Sequence, residues 1–102
     1  MPKALILKDL YQARSKLAYH WYGKGNPLAA KGEDALCLHT ATPSREAALE
    51  LARTLEPEIV TDDCASSTYC PLLWHFNDAP GRTHAEVLAV IDKTIERVGN
   101  IN

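Results

Sequence analysis

The stretch from Thr83 to Gly99 is the tightest constraint on how this chain can fold. In Thr83-His84-Ala85-Glu86, the threonine hydroxyl can accept the glutamate amide while the glutamate carboxylate reaches back to the threonine amide. This reciprocal capping box satisfies two of the free donors at a helix N-terminus. Behind it Leu88, Ile91, Ile95 and Val98 recur on one face, with Val87 beside them. That spacing predicts an amphipathic helix over about 84–98. Arg97 falls in the last turn, where the helix dipole favours a cation, and Gly99 is placed to cap the end. Pro80-Gly81, just ahead, is a turn signal, with glycine free to take a positive φ. A helix of this kind must bury its apolar stripe against other elements.

Two further stripes supply them. Ile6, Leu10, Ala13 and Leu17 are spaced by four, three and four residues, which predicts a helix over 3–20 started by Pro2. Lys8, Asp9, Gln12, Ser15 and Lys16 fall on its solvated side. Gly23-Lys24-Gly25-Asn26-Pro27 ends it in a loop. Thr42-Pro43 reads as an N-cap with proline in the first helical position, opening a helix over 43–55. There Ala48, Leu51, Ala52 and Leu55 form the buried stripe, and Pro57 stops the run. Residues 33–41, Glu-Asp-Ala-Leu-Cys-Leu-His-Thr-Ala, fit a short helix or a short buried strand equally well. Residues 57–73 read mostly as loop, with at most one helical turn over Ser66–Tyr69, because Pro71 opposes a long helix. The expectation is one domain over 1–102. It is mainly α, a small irregular three- to four-helix bundle with a long loop before the C-terminal helix. A chain of 102 residues, 46% of them hydrophobic, can bury roughly two-thirds of its unfolded surface without a metal or disulfide.

The formal net charge of −2 opposes sequence-independent binding to nucleic acid, which needs a basic field. Ala4-Leu5-Ile6-Leu7 is too short an apolar run for a signal-peptide core or a membrane span. Cys37, Cys64 and Cys70 cannot all pair within one chain, so a cytoplasmic protein with reduced thiols is expected. Cys37, His39, Cys64, Cys70 and His75 are zinc-ligand types, but no Cys-x-x-Cys or His-x-x-x-His pair occurs, so no metal and no cofactor is expected. A Cys37 or Cys64 nucleophile served by His39, His75 or His84 and by Asp62, Asp63 or Asp78 has no local signature behind it. The helix entrance at Asn77, Asp78, Gly81, Arg82 and Thr83 is a candidate anion or nucleotide site. Glu86 already places its own charge there, and pairing of Arg82 with Asp78 across the turn is the simpler expectation. The aromatic residues Trp21, Tyr22, Trp74, His75 and Phe76 lie in or beside expected loops and are candidates for a binding surface.

Residues 74–95 resemble a family of uncharacterised short bacterial and phage proteins. Its members read Trp-Asn-Asp-x-x-Gly-Arg-Thr followed by a Glu/Asp-Val-Leu helix. The matching residues here are Asn77, Asp78, Gly81, Arg82 and Thr83, then Glu86, Val87 and Leu88. Phe76 stands where the family has tryptophan. Cys37-Leu38-His39-Thr40-Ala41 stands where it has Cys-x-x-Gly-Ala. The resemblance implies a mostly helical fold in a bacterial or phage setting and implies no reaction.

These features together lead to the expectation of a non-enzymatic interaction protein of inhibitor type. It would be a phage-encoded or bacterial modulator of a macromolecular machine, with a protein partner, no membrane and no nucleic acid. The candidate binding residues are Trp21, Tyr22, Trp74, His75, Phe76, Asn77, Asp78 and Arg82.

Overall fold

A computed structural model describes residues 2–25, 36–61 and 65–100. It contains α1 (Lys3–His20), α2 (Leu38–Ala41), α3 (Arg45–Leu55), α4 (Ser66–Asn77) and α5 (His84–Gly99). No strand occurs among the described residues; Trp21 and Leu36 form an isolated parallel bridge. The fold is the expected small helical bundle.

α1 and α5 pack along each other, and α3 crosses against both and against α4. Leu10, Ala13 and Leu17 of α1 are buried, and Ile6 is half-buried. On α5 the buried line is Val87, Ile91, Thr94 and Val98, one position round from the stripe expected, with Leu88 and Ile95 at its edges. Thr94 can take a core position because its hydroxyl donates to the Val90 carbonyl at 2.7 Å and meets the Thr54 hydroxyl at 2.7 Å. α3 is the central helix: Ala47 to Ala52 are all buried. Its small residues let neighbouring helices approach closely. One charge is buried with them. Glu50 pairs with Arg53 at 2.8 Å and with Arg97 at 3.3 Å, and Arg97 also donates to the Glu50 carbonyl at 2.7 Å. Arg97 therefore ties α5 to α3 as well as facing the end of its own helix.

Three local expectations are corrected. The cap of α3 is Ser44, whose hydroxyl accepts the Ala47 amide at 3.2 Å. Thr42 closes α2 by donating to the Leu38 carbonyl at 2.8 Å. Gly99 is the last residue of α5, and Asn100 caps it. The long loop before the C-terminal helix is largely α4, which runs through Pro71. Proline there deletes a single bond, the one its N–H would make to Ser67, and Ser67 is exposed, so water can serve the freed carbonyl. Burial of Tyr69, Leu73 and Asn77 at steps of four outweighs that loss. Residues 33–41 divide: Leu36 makes the bridge, Leu38 to Ala41 make one helical turn, and 33–35 lie outside the described residues. No helix among the described residues is long and apolar enough to cross a membrane.

Candidate functional site

α4 ends at Asn77, and the chain reaches α5 in six residues, 78–83. The capping box forms as expected. The Glu86 amide donates to the Thr83 hydroxyl at 3.2 Å, and the Thr83 amide donates to the Glu86 carboxylate at 3.0 Å. Gly81 takes the expected positive φ, 76°. These bonds from Thr83 hold the Glu86 carboxyl below its ordinary range, with the neighbouring Arg82 charge adding to the effect. The Glu86 contribution is therefore present at neutral pH and lost on acidification through its folded pKa. Thr83→Ala is expected to cost about 1 kcal/mol in urea unfolding at neutral pH.

Asn77 is wholly buried and stands at the centre of the junction. Its Oδ1 accepts from the Trp21 indole at 2.8 Å and from the Leu38 amide at 2.9 Å. Its Nδ2 donates to the Tyr22 carbonyl at 3.0 Å and to Asp78 Oδ1 at 3.0 Å. An asparagine side chain has two acceptor sites and two donor hydrogens, so its capacity is fully used. One side chain thereby joins the end of α1, the first free amide of α2 and the end of α4. Asp78 Oδ1 also accepts the Lys24 amide at 3.2 Å, and the Gly81 amide donates to the Gly25 carbonyl at 3.1 Å. Residues 22–25 are thus laid against the turn. A Cβ on Gly23 would overlap the Trp21 indole, and one on Gly25 would overlap the Ala79 carbonyl, which is why the approach needs glycine at both positions.

The candidate binding residues separate into two groups. Trp21, 4% exposed, and Asn77 belong to the interior, not to the surface expected of them. Trp21 stacks on His84 with ring centroids 5.6 Å apart. His84 Nε2 donates to the Leu17 carbonyl at 2.6 Å, which joins the last turn of α1 to the first turn of α5. Tyr22, Asp78 and Arg82 are half-buried. Arg82 donates to the Phe76 carbonyl at 2.8 Å, lies over the Phe76 ring at 3.8 Å and pairs with Glu86 at 2.9 Å, where Asp78 was the expected partner. Trp74 and His75 remain on the surface, their rings 4.1 Å apart. They border a shallow groove of ≈ 480 Å³ completed by Lys24, Gly25, Asp78, Ala79 and Pro80. On its other side His75, with Phe76, Leu72, Leu55 and Glu56, lines a second hollow of ≈ 350 Å³.

The thiol reading meets an unfavourable environment. Cys37 is half-buried, and its thiol donates to the Tyr22 carbonyl at 3.5 Å. Burial, and next the nearby Asp78 carboxylate, push the thiol pKa up, with the neighbouring Asn77 side chain in partial opposition. A reactive cysteine needs the reverse shift. Cys64, Asp62 and Asp63 lie outside the described residues. Among the described residues no group of three or more His, Cys, Asp or Glu side chains is arranged to hold a metal ion.

His39 presents a buried Nδ1 with no hydrogen-bond partner among the described residues. Burial holds its pKa below the ordinary 6.5, against a weaker pull from Asp78. The unfolded chain therefore takes up this proton more readily than the folded one. Its contribution to stability is intact above about pH 6.5 and declines as the pH falls below it. Urea unfolding at about pH 7.5 and about pH 5 should show that decline, and His39→Leu should make it shallower.

The signal for the junction was partly visible. Asn77 lies four residues after Leu73, on the same stripe, and a polar residue in such a place must be satisfied from elsewhere. Nothing local marks Trp21 as its donor or His84 as the ring beneath the indole. The model of a family of unknown function, DUF6197, matches residues 1–97. The chain belongs to that family. The match runs far beyond the Asn77–Leu88 motif and takes in α1, the Asn77 junction and most of α5. No curated protein and no solved structure matches the chain.

Proposed function

We propose that this member of the family is a non-enzymatic interaction protein of inhibitor type, phage-encoded or bacterial, that binds a macromolecular partner through the end of α4. The observation that carries this reading is the placement of Trp74. It is 39% exposed, its ring tilted against His75, and it borders the groove, while His75 and the half-buried Phe76 continue into the adjoining hollow. A large rigid ring at the edge of a concavity buries much area on contact at low entropic cost, which is the usual make-up of an interface anchor. Asp78 and Lys24 add polar groups at the groove's rim.

The alternative, a nucleotide or other anion held at the entrance to α5, draws no comparable support. Asn77 has no bonding capacity to offer, Glu86 occupies the Thr83 amide, and Arg82 already faces Glu86 and Phe76. The test uses purified wild-type protein and Trp74→Ala as baits in bacterial lysate, with captured proteins identified by mass spectrometry. A partner held by the wild type and lost with Trp74→Ala is expected, with stability changed by no more than about 0.5 kcal/mol, as for a surface site. No partner above background, or one held equally by both baits, would count against the reading.

A further inference from the structure

A second surface lies on α1, away from the α4 groove. Three of the large hydrophobic side chains that remain exposed among the described residues belong to this helix: Leu5 at 45%, Tyr11 at 58% and Tyr19 at 81%. Lys8 and Lys16 are exposed on the same side, with Gln12 between them. The sequence repeats itself there, as Lys8-x-x-Tyr11 and Lys16-x-x-Tyr19. At 1.5 Å per residue the two lysines stand about 12 Å apart along the axis. At 100° per residue the six side chains fall within one broad face, opposite Leu10, Ala13 and Leu17. The one carboxylate of α1, Asp9, is half-buried at its edge. Arg14 is engaged by Asp92, and Lys3 donates to the Gly99 carbonyl at 3.3 Å. Lys8 and Lys16 make no ion pair among the described residues. The face is therefore apolar and cationic in a chain whose net charge is −2.

We infer that the solvent face of α1 docks an acidic amphipathic helix of a partner protein. Carboxylates about two turns apart on that helix meet Lys8 and Lys16, and its apolar residues cover Leu5, Tyr11 and Tyr19. Charge complementarity selects the sign of the partner, and the mixture of apolar and aromatic area selects its class. A nucleic-acid backbone fits the face less well. Two lysines release about two counterions, whereas strong non-specific binding draws on roughly six to ten phosphate contacts. This surface is independent of the Trp74 groove, so either can fail while the other stands.

The test is selection from a library of helical peptides with one face randomised over Glu, Lys, Leu and Ala, displayed to the full-length protein. Wild type should enrich peptides that combine leucine with glutamates spaced seven or eight residues apart. Lys8→Glu with Lys16→Glu should weaken the winning peptides by about tenfold, as expected for two exposed pairs reversed in sign. The same double variant should enrich lysine in place of glutamate. Lys8→Gln with Lys16→Gln, a milder change, should weaken binding without changing the melt. Trp74→Ala should bind the winners like wild type. Winners without acidic residues, winners indifferent to Lys8 and Lys16, or winners lost with Trp74→Ala would overturn the inference. So would an oligonucleotide that competes through the same two lysines and binds more tightly than any peptide.

Discussion

Asn77→Ala should lower the free energy of unfolding by about 3–5 kcal/mol, measured by urea denaturation with an unchanged slope. The figure follows from what is stranded, more than from the volume lost. Truncation leaves the Trp21 indole N–H and the Leu38 amide without an acceptor, and leaves the Tyr22 carbonyl with only the weak Cys37 thiol donor. Each buried group left unsatisfied costs about 1–3 kcal/mol. A domain of this size has only about 5–15 kcal/mol in total, so the variant is expected to be folded but marginal. Asn77→Asp is the sharper probe. It keeps the shape and both acceptor bonds, yet it turns a donor into a carboxylate oxygen facing the Tyr22 carbonyl and the Asp78 carboxylate. It should be at least as damaging as alanine at neutral pH and should recover in part when acid protonates the new pair.

Trp21→Ala should cost about 3–5 kcal/mol, the usual range for a buried tryptophan, although its position before a glycine loop suggests a surface ring. The indole is 4% exposed, packs against Gly23, stacks on His84 and donates to Asn77. Trp21→Phe retains much of the stack and the apolar area but loses the donor, so it should fall about 1–3 kcal/mol below wild type. Because Trp21 and Asn77 share one hydrogen bond, Trp21→Ala and Asn77→Ala together should cost less than the two separate losses combined. Trp74→Ala, three residues before Asn77, should leave the melt almost where it was. Two tryptophans with opposite behaviour would separate the interior of the junction from its outer surface.

What could be read from the sequence follows the range of the interactions. The Thr83–Glu86 box involves residues three apart, and the stripe of α1 repeats every three or four, so both were legible from residue spacing. Over α4, Pro71 and the Ser66-Ser67-Thr68 run carry strong local signals against a helix. The burial of Tyr69, Leu73 and Asn77 that overrides them depends on α2 and α3, far off in sequence. From the sequence, Trp21 and Asn77 read as candidate surface residues for a related reason. A hydrogen bond spanning fifty-six positions has no periodicity to announce it. Thr94 takes its place in the core through Thr54 and the Val90 carbonyl, neither of which the stripe of apolar residues reveals. Trp74 and His75, left at the surface, are legible by type alone, and only the fold shows the groove they border.

The central claim is that the Asn77–Thr83 segment serves as an internal fastening whose polar groups face one another. Native-state hydrogen exchange of the Trp21 indole N–H and the Leu38 amide tests it most directly. Both protons should exchange only through global unfolding, with protection equal to that of core amides such as Ile91, and both should lose protection together in Asn77→Ala. Exchange at the rate of an exposed terminus, with the Ile91 amide still protected, would show that the fastening opens on its own and would contradict the account.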